Sequence, residues 1–140
     1  MTVFAGLEAD VDSPRRLFLQ HPVTGQSLRN AETGEEAWID VLSSDSEVAH
    51  KHNRANINSR IKRKAQKISA EELETEGVEL LAKLTRGWAL VDLAGKPISV
   101  PFSEQNARAL YSTPSLAWIK RQVDQFSADV GNWIPGSSTT

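Results

Sequence analysis

The chain contains no cysteine, a single methionine, a single tyrosine and only three histidines. The missing thiols exclude disulfides, thiolate nucleophiles and cysteine-ligated zinc together, and they suit a reducing compartment such as the cytosol. No window approaches the roughly 18 apolar residues that a membrane span requires. The first residues carry Glu8, Asp10 and Asp12 in place of the apolar core of a secretion signal. His50 and His52 are two positions apart, so on a helix they project about 200° from one another and cannot share a metal as an i, i+4 pair can. His21 precedes Pro22 and reads as a turn residue. There is no phosphate-cradling loop, no G-x-G-x-x-G and no G-x-S-x-G elbow. The acidic pairs Glu35–Glu36 and Glu71–Glu72 are adjacent and point to different faces. The expectation is a protein without catalytic residues, metal or cofactor.

A strong charge of either sign is lacking as well. Sixteen basic residues face 18 acidic ones, for a net charge of −2, so the whole-molecule field exerts no general pull on nucleic acid or anionic membrane. The charge is, however, sorted along the chain. Residues 1–47 carry −6, 48–68 carry +7, 69–80 carry −5 and 81–140 carry +2.

What remains is a chain of 140 residues, 39% hydrophobic, enough for one domain with a modest core. Residues 1–13 lack periodicity and read as a loose arm, and 135–140 as a disordered tail. Leu17 and Leu19 share one side of a strand, and Ala37, Ile39 and Val41 one side of another. Between them "HPVTGQ" reads as a turn, because Pro22 fixes φ and Gly25 tolerates φ > 0, and "ETGEE" reads as a second turn. Ser44 to Glu47 spells a capping box, predicting a helix from about Asp45 with an apolar stripe of Ile57, Ile61, Ala65 and Ile68. Ser69 and Glu72 form a second box, with Ile68 and Leu73 as a hydrophobic staple. The helix that follows carries Leu73, Gly77, Leu80, Leu81 and Leu84 on one face and ends before Gly87. "WALVDL" and "ISVPF", joined by "AGKP", predict a β-hairpin over 88–102 with Gly95 at its tip. Ser103 then caps a short helix whose apolar face is Ala107, Leu110 and Tyr111. Thr113 and Pro114 open a last helix with Leu116, Ile119, Val123, Phe126 and Val130 at spacings of three and four, stopped by Gly131. The fold class is α+β, mainly α: a small N-terminal antiparallel sheet, two central helices, a hairpin and two C-terminal helices.

Two surfaces stand out as candidates. The basic block between Val48 and Ile68 presents Lys51, Arg54, Arg60, Lys62, Arg63, Lys64 and Lys67 with no intervening acid. It could lie along a polyanion, but it lacks base-stacking aromatics and is followed at once by an acidic segment with which it can pair. The second is the final stripe, with Leu116, Trp118, Ile119, Val123, Phe126 and Trp133 as candidate partner-binding residues. Trp38 and Trp88 lie in strands and are expected in the core. Trp118 flanks the stripe and Trp133 follows the helix stop, so these two are expected as surface anchors.

The order of elements in "GWALVDLAGKPISVPFSEQNARALYSTPSLAWIKRQV" resembles the tail assembly chaperones of long-tailed, siphovirus-like bacteriophages: a tryptophan-led hairpin ending in Pro-Phe-Ser, an Asn-Ala-containing helix, then a Pro-capped long helix. The stronger likeness covers about Arg86 to Trp133. "HPVTGQSL" and "AWIDVLSSDSE" fit the N-terminal part of such proteins. The resemblance implies a small, mainly helical, non-enzymatic protein in the cytoplasm of the infected bacterium. It would bind the tape measure protein, keep it soluble and recruit major tail tube subunits, and it would be absent from the finished virion. Self-association and a longer, frameshifted form belong to the same expectation. The alternatives are a nucleic-acid-binding accessory protein using the basic helix 48–68 and a structural head-tail or tail component of the virion.

Overall fold

The computed structural model describes residues 3–64 and 67–136. Its elements run β1 (Arg15–Phe18), β2 (Trp38–Val41), α1 (Glu47–Arg63), α2 (Ala70–Leu84), β3 (Thr85–Ala89), α3 (Glu104–Ser112) and α4 (Ala117–Ala128). The strands form one antiparallel sheet in the order β1-β2-β3. With nearly half of the chain helical and one small sheet, the fold is α+β and mainly α, as expected.

The sheet follows from the period-two pattern of the strands. Register places Leu17 opposite Ile39 and Ile39 opposite Trp88 on the inner face. There Leu19, Ala37, Ile39 and Val41 are buried against Val78, Leu81, Leu84, Ala107, Tyr111, Ile119 and Val123 of the helices. On the outer face Arg16 opposes Asp40 and donates to it from Nε at 2.9 Å. The Arg16 guanidinium also lies 3.7 Å from the centre of the Trp38 ring. Trp38 is therefore half-buried on the outer face, clamped under an arginine and lying over Gly87, and not in the core as expected. The turns at Gly25 (φ +73°) and Gly34 (φ +76°) form as predicted. His21 closes the first by accepting from the backbone N–H groups of Val23 and Thr24 on Nδ1.

The starts of α1, α2 and α3 are set by hydroxyl caps. Ser69 accepts from Glu72 N–H and Ser103 from Asn106 N–H, as expected. At α1 the cap is Ser46, which accepts from Ala49 N–H, and not Ser44. The backbone N–H of Ser44 is committed to the carbonyl of Ser127, and that of Glu47 to the Asp12 carboxylate, which shifts the helix start to Glu47. Thr113 does not cap the last helix; its hydroxyl donates back to the carbonyl of Ala109. Pro114–Leu116 form a single 3-10 turn before α4. α4 ends at Ala128 through Asp129, which accepts from Gly131 N–H, so Gly131 is not a left-handed stop and Val130 is exposed.

Three further expectations are corrected. The stripe Ile57, Ile61, Ala65, Ile68 does not face the core: Ile57 and Ile61 are exposed, α1 buries Ala49 and His52 instead, and Ala65 lies outside the described residues. Leu73 is also exposed, so it makes no staple with Ile68. The N-terminal arm is tied down. Asp10 N–H donates to the carbonyl of Trp133, and the Trp133 indole N–H donates to the carbonyl of Ser13. Of the expected C-terminal tail, Pro135 and Gly136 belong to a turn, and 137–140 lie outside the described residues.

α2 runs into β3 without a linker. At this junction the Thr85 hydroxyl donates to the carbonyl of Leu81 at 2.7 Å, and Tyr111 of α3 donates its hydroxyl to Thr85 Oγ1 at 2.7 Å. Leu42 N–H closes the same corner on the carbonyl of Leu84. Burial pushes the Tyr111 phenol from 10.0 up to about 12.

Trp133 is fully buried, so Trp133→Ala should cost about 3–5 kcal/mol in denaturant unfolding, and it should release the arm to proteolysis. Tyr111 keeps its proton in the folded state where the unfolded chain has lost it, so stability is intact below pH 10 and falls as pH rises toward 12. Tyr111→Phe should remove that alkaline slope in a pH series of unfolding midpoints.

Candidate functional site: an apolar cleft beside the sheet

Beyond Ala89 the predicted hairpin forms only in part. Its turn is built by Asp92, whose carboxylate accepts from the backbone N–H groups of Ala94 and Lys96. Gly95 adopts φ +89° there, and a Cβ on it would stand 2.9 Å from the carbonyl of Arg29, because the turn is seated on the 29–31 loop. The ladder stops after Ile98 N–H donates to Leu90. Pro97 and Pro101 have no N–H to offer, and the carbonyl of Val100 is taken by the Trp88 indole at 2.9 Å. Segment 99–102 is thus held by side chains instead of by a strand partner. Trp88 meets Phe102 edge-on with centroids 5.3 Å apart, and Asn106 donates its amide to the carbonyl of Pro101.

Because the second strand is missing, the inner-face residues here are only partly covered. They line a cleft of about 470 Å³ between the 88–100 segment and the α3–α4 corner. Leu90, Val91, Leu93, Ile98 and Val100 form one wall, and Leu110, Leu116 and Trp118 the other. Leu19, Leu28 and Ile119 contribute from the core side. Polar groups are few: Asp92, Asn106, Thr113 and Ser115. Asp92 is already occupied by its turn. This size and lining fit an apolar ligand or the apolar side chains of a protein segment.

The predicted partner-binding residues divide around the cleft. Leu116 and Trp118 line it and keep exposed surface. Ile119 touches it but is nearly covered, while Val123 and Trp133 are fully buried and serve the chain's own core. Trp133 is therefore an internal anchor and not the expected surface one. Phe126 is half-buried, with its ring tilted against Trp133 at 5.3 Å. Leu90, Leu93, Ile98 and Val100 were visible in the sequence only as strand residues. The alternation Ile98, Val100 between two prolines was the available sign that this strand would lack a full ladder.

The arginines of the basic block are answered from within. Arg60 forms a half-covered ion pair with Glu76, Arg63 pairs with Glu72 at 3.2 Å, and Arg54 pairs with Glu47 at 2.9 Å. The acidic segment beside the block thus partners two of its arginines. Lys51, Lys62, Lys64 and Lys67 are exposed, with no ion pair among the described residues. His52 points inward, its Nε2 3.2 Å from the Glu76 carbonyl, while His50 is exposed, so the two diverge as their spacing requires.

No protein-family model matches the chain, and the comparisons with curated proteins and with solved structures gave no match.

The two helix-pair ion pairs should differ in strength. The Arg60–Glu76 side chains are 25% and 23% exposed, against 53% and 42% for Arg63–Glu72. Double-mutant cycles in urea should give a coupling of about 1 kcal/mol for the former and a few tenths, roughly, for the latter.

Proposed function

We propose that the protein is a tail assembly chaperone of a long-tailed bacteriophage. It binds the tape measure protein, keeps it soluble in the cytoplasm of the infected host and brings tail tube subunits to it, without entering the virion. The observation that carries this reading is the apolar cleft. Both of its walls come from the stretch Arg86 to Trp133, the same stretch whose order of elements resembles that family. A long helical client exposes apolar stripes before assembly, and such a stripe is buried by laying it into a groove with apolar walls and few polar demands. The open mouth of the cleft, with Ile98 and Val100 42% and 46% exposed, leaves contact surface free.

Co-expression tests the proposal. The protein should move the phage's tape measure protein from the insoluble to the soluble fraction and co-purify with it. Ile98→Asp with Val100→Asp, on a partly exposed wall, should abolish the rescue while leaving circular dichroism unchanged, and Lys62→Glu on α1 should not affect it. Failure of the unaltered protein to rescue, or full rescue by the cleft variant, would contradict the reading.

A further inference from the structure

β1 is an edge strand, paired in the sheet with β2 alone. Its hydrogen bonds alternate along its length. Leu19 N–H donates to the carbonyl of Ala37, so Leu17 and Arg15, two and four residues earlier, also turn their backbone groups toward β2. Arg16, Phe18 and Gln20 turn theirs outward. At Gln20 one side chain answers both outward groups: the Gln122 amide of α4 accepts from Gln20 N–H at 3.0 Å and donates to its carbonyl at 2.8 Å. A side-chain amide thus stands where the peptide group of a neighbouring strand would stand. The outward N–H and C=O groups of Arg16 and Phe18 have no such partner among the described residues.

A groove runs beside these open groups. It has a volume of about 490 Å³ and lies between β1 and α4, with Leu17 and Phe126 as its apolar part and Gln125 and Asn132 among its polar groups. It shares no residue with the apolar cleft.

The open groups decide the occupant. Donor and acceptor recur together every second residue, about 7 Å apart, and extended backbone is what presents matching groups at that repeat. A helix has already bonded its own backbone internally, and a nucleic-acid phosphate has no hydrogen to donate to the carbonyls. A second copy does not fit either. Every two-fold register of β1 on itself sets Arg16 against Arg16, or carries Pro14 or the already engaged Gln20 into the ladder. We propose that the β1 edge binds an extended segment of another protein by strand addition, with an apolar side chain of that segment seated over Leu17 and Phe126. Gln122 closes the edge at Gln20, so the added strand is short and turns away there. The proposal stands on this edge alone and does not depend on what the cleft binds.

The test is amide hydrogen exchange of the full chain, read by NMR with and without the synthetic peptide acetyl-Lys-Thr-Ile-Thr-Lys-amide. In the protein alone, Arg16 and Phe18 should exchange at least about tenfold faster than Leu17 and Leu19. At about 2 mM the peptide should slow Arg16 and Phe18 roughly threefold, as a Kd of about 1 mM gives. The same peptide N-methylated on its three central residues should leave both rates unchanged; the protein is then unaltered, so folding cannot explain the loss. Phe18→Pro, which removes an outward donor at an edge position, should abolish the slowing of Arg16. Slow exchange of Arg16 and Phe18 in the protein alone would overturn the proposal. So would no slowing by the unmodified peptide, equal slowing by the methylated one, slowing confined to residues 86–90 at the opposite edge of the sheet, or the same slowing appearing with protein concentration alone.

Discussion

The junction between Leu84 and Thr85 is the constraint on which the architecture turns. A helix passes into a strand with no intervening residue, and three hydrogen bonds fasten the corner: Thr85 to Leu81, Tyr111 to Thr85, and Leu42 to Leu84. All the polar atoms involved are satisfied within the core, where an unpaired one would cost about 1–3 kcal/mol. The corner ties the sheet, α2 and α3 to one another. Since β3 leads into one wall of the cleft and α3 carries part of the other, it also fixes how far apart the walls stand. The cleft is thus a consequence of the core and not a loose gap between loops.

The molecule has two kinds of surface as a result. Around the cleft, apolar residues are left open because a hairpin lacks its second ladder, for which Pro97, Pro101 and the Trp88 to Val100 bond are responsible. On the α1–α2 hairpin, apolar residues are open because α1 is joined to α2 mainly by charge and by His52. On that hairpin α1 is basic and α2 acidic, and the two sets of charges meet across the helix pair.

Most of the fold was legible in the sequence where a single physical rule decides the outcome. Alternation placed Leu19, Ile39 and Val41 inside, turn chemistry placed Gly25, Gly34 and Gly95 in turns, and hydroxyl caps marked Ser69 and Ser103. Reading failed where tertiary contacts choose between equivalent local options. Ser44 and Ser46 are equally able to cap, and the choice is made by Asp12 and Ser127, both remote in sequence. Ile57 and Ile61 have faultless helical spacing, yet the opposite pattern of Ala49 and His52 is buried, because ion pairs to α2 fix the rotation of α1. Of the site, Leu116 and Trp118 were visible as part of a stripe. Ile119 and Val123 of the same stripe, and Trp133 beyond it, went to the core, and periodicity alone cannot distinguish a stripe that packs inward from one that packs on a partner.

Hydrogen exchange of the protein alone and in complex with the tape measure protein measures the central claim directly. The predicted result is new protection concentrated in 88–100 and 106–118, the two walls of the cleft. Unchanged exchange in both walls, with the client demonstrably bound, would contradict it.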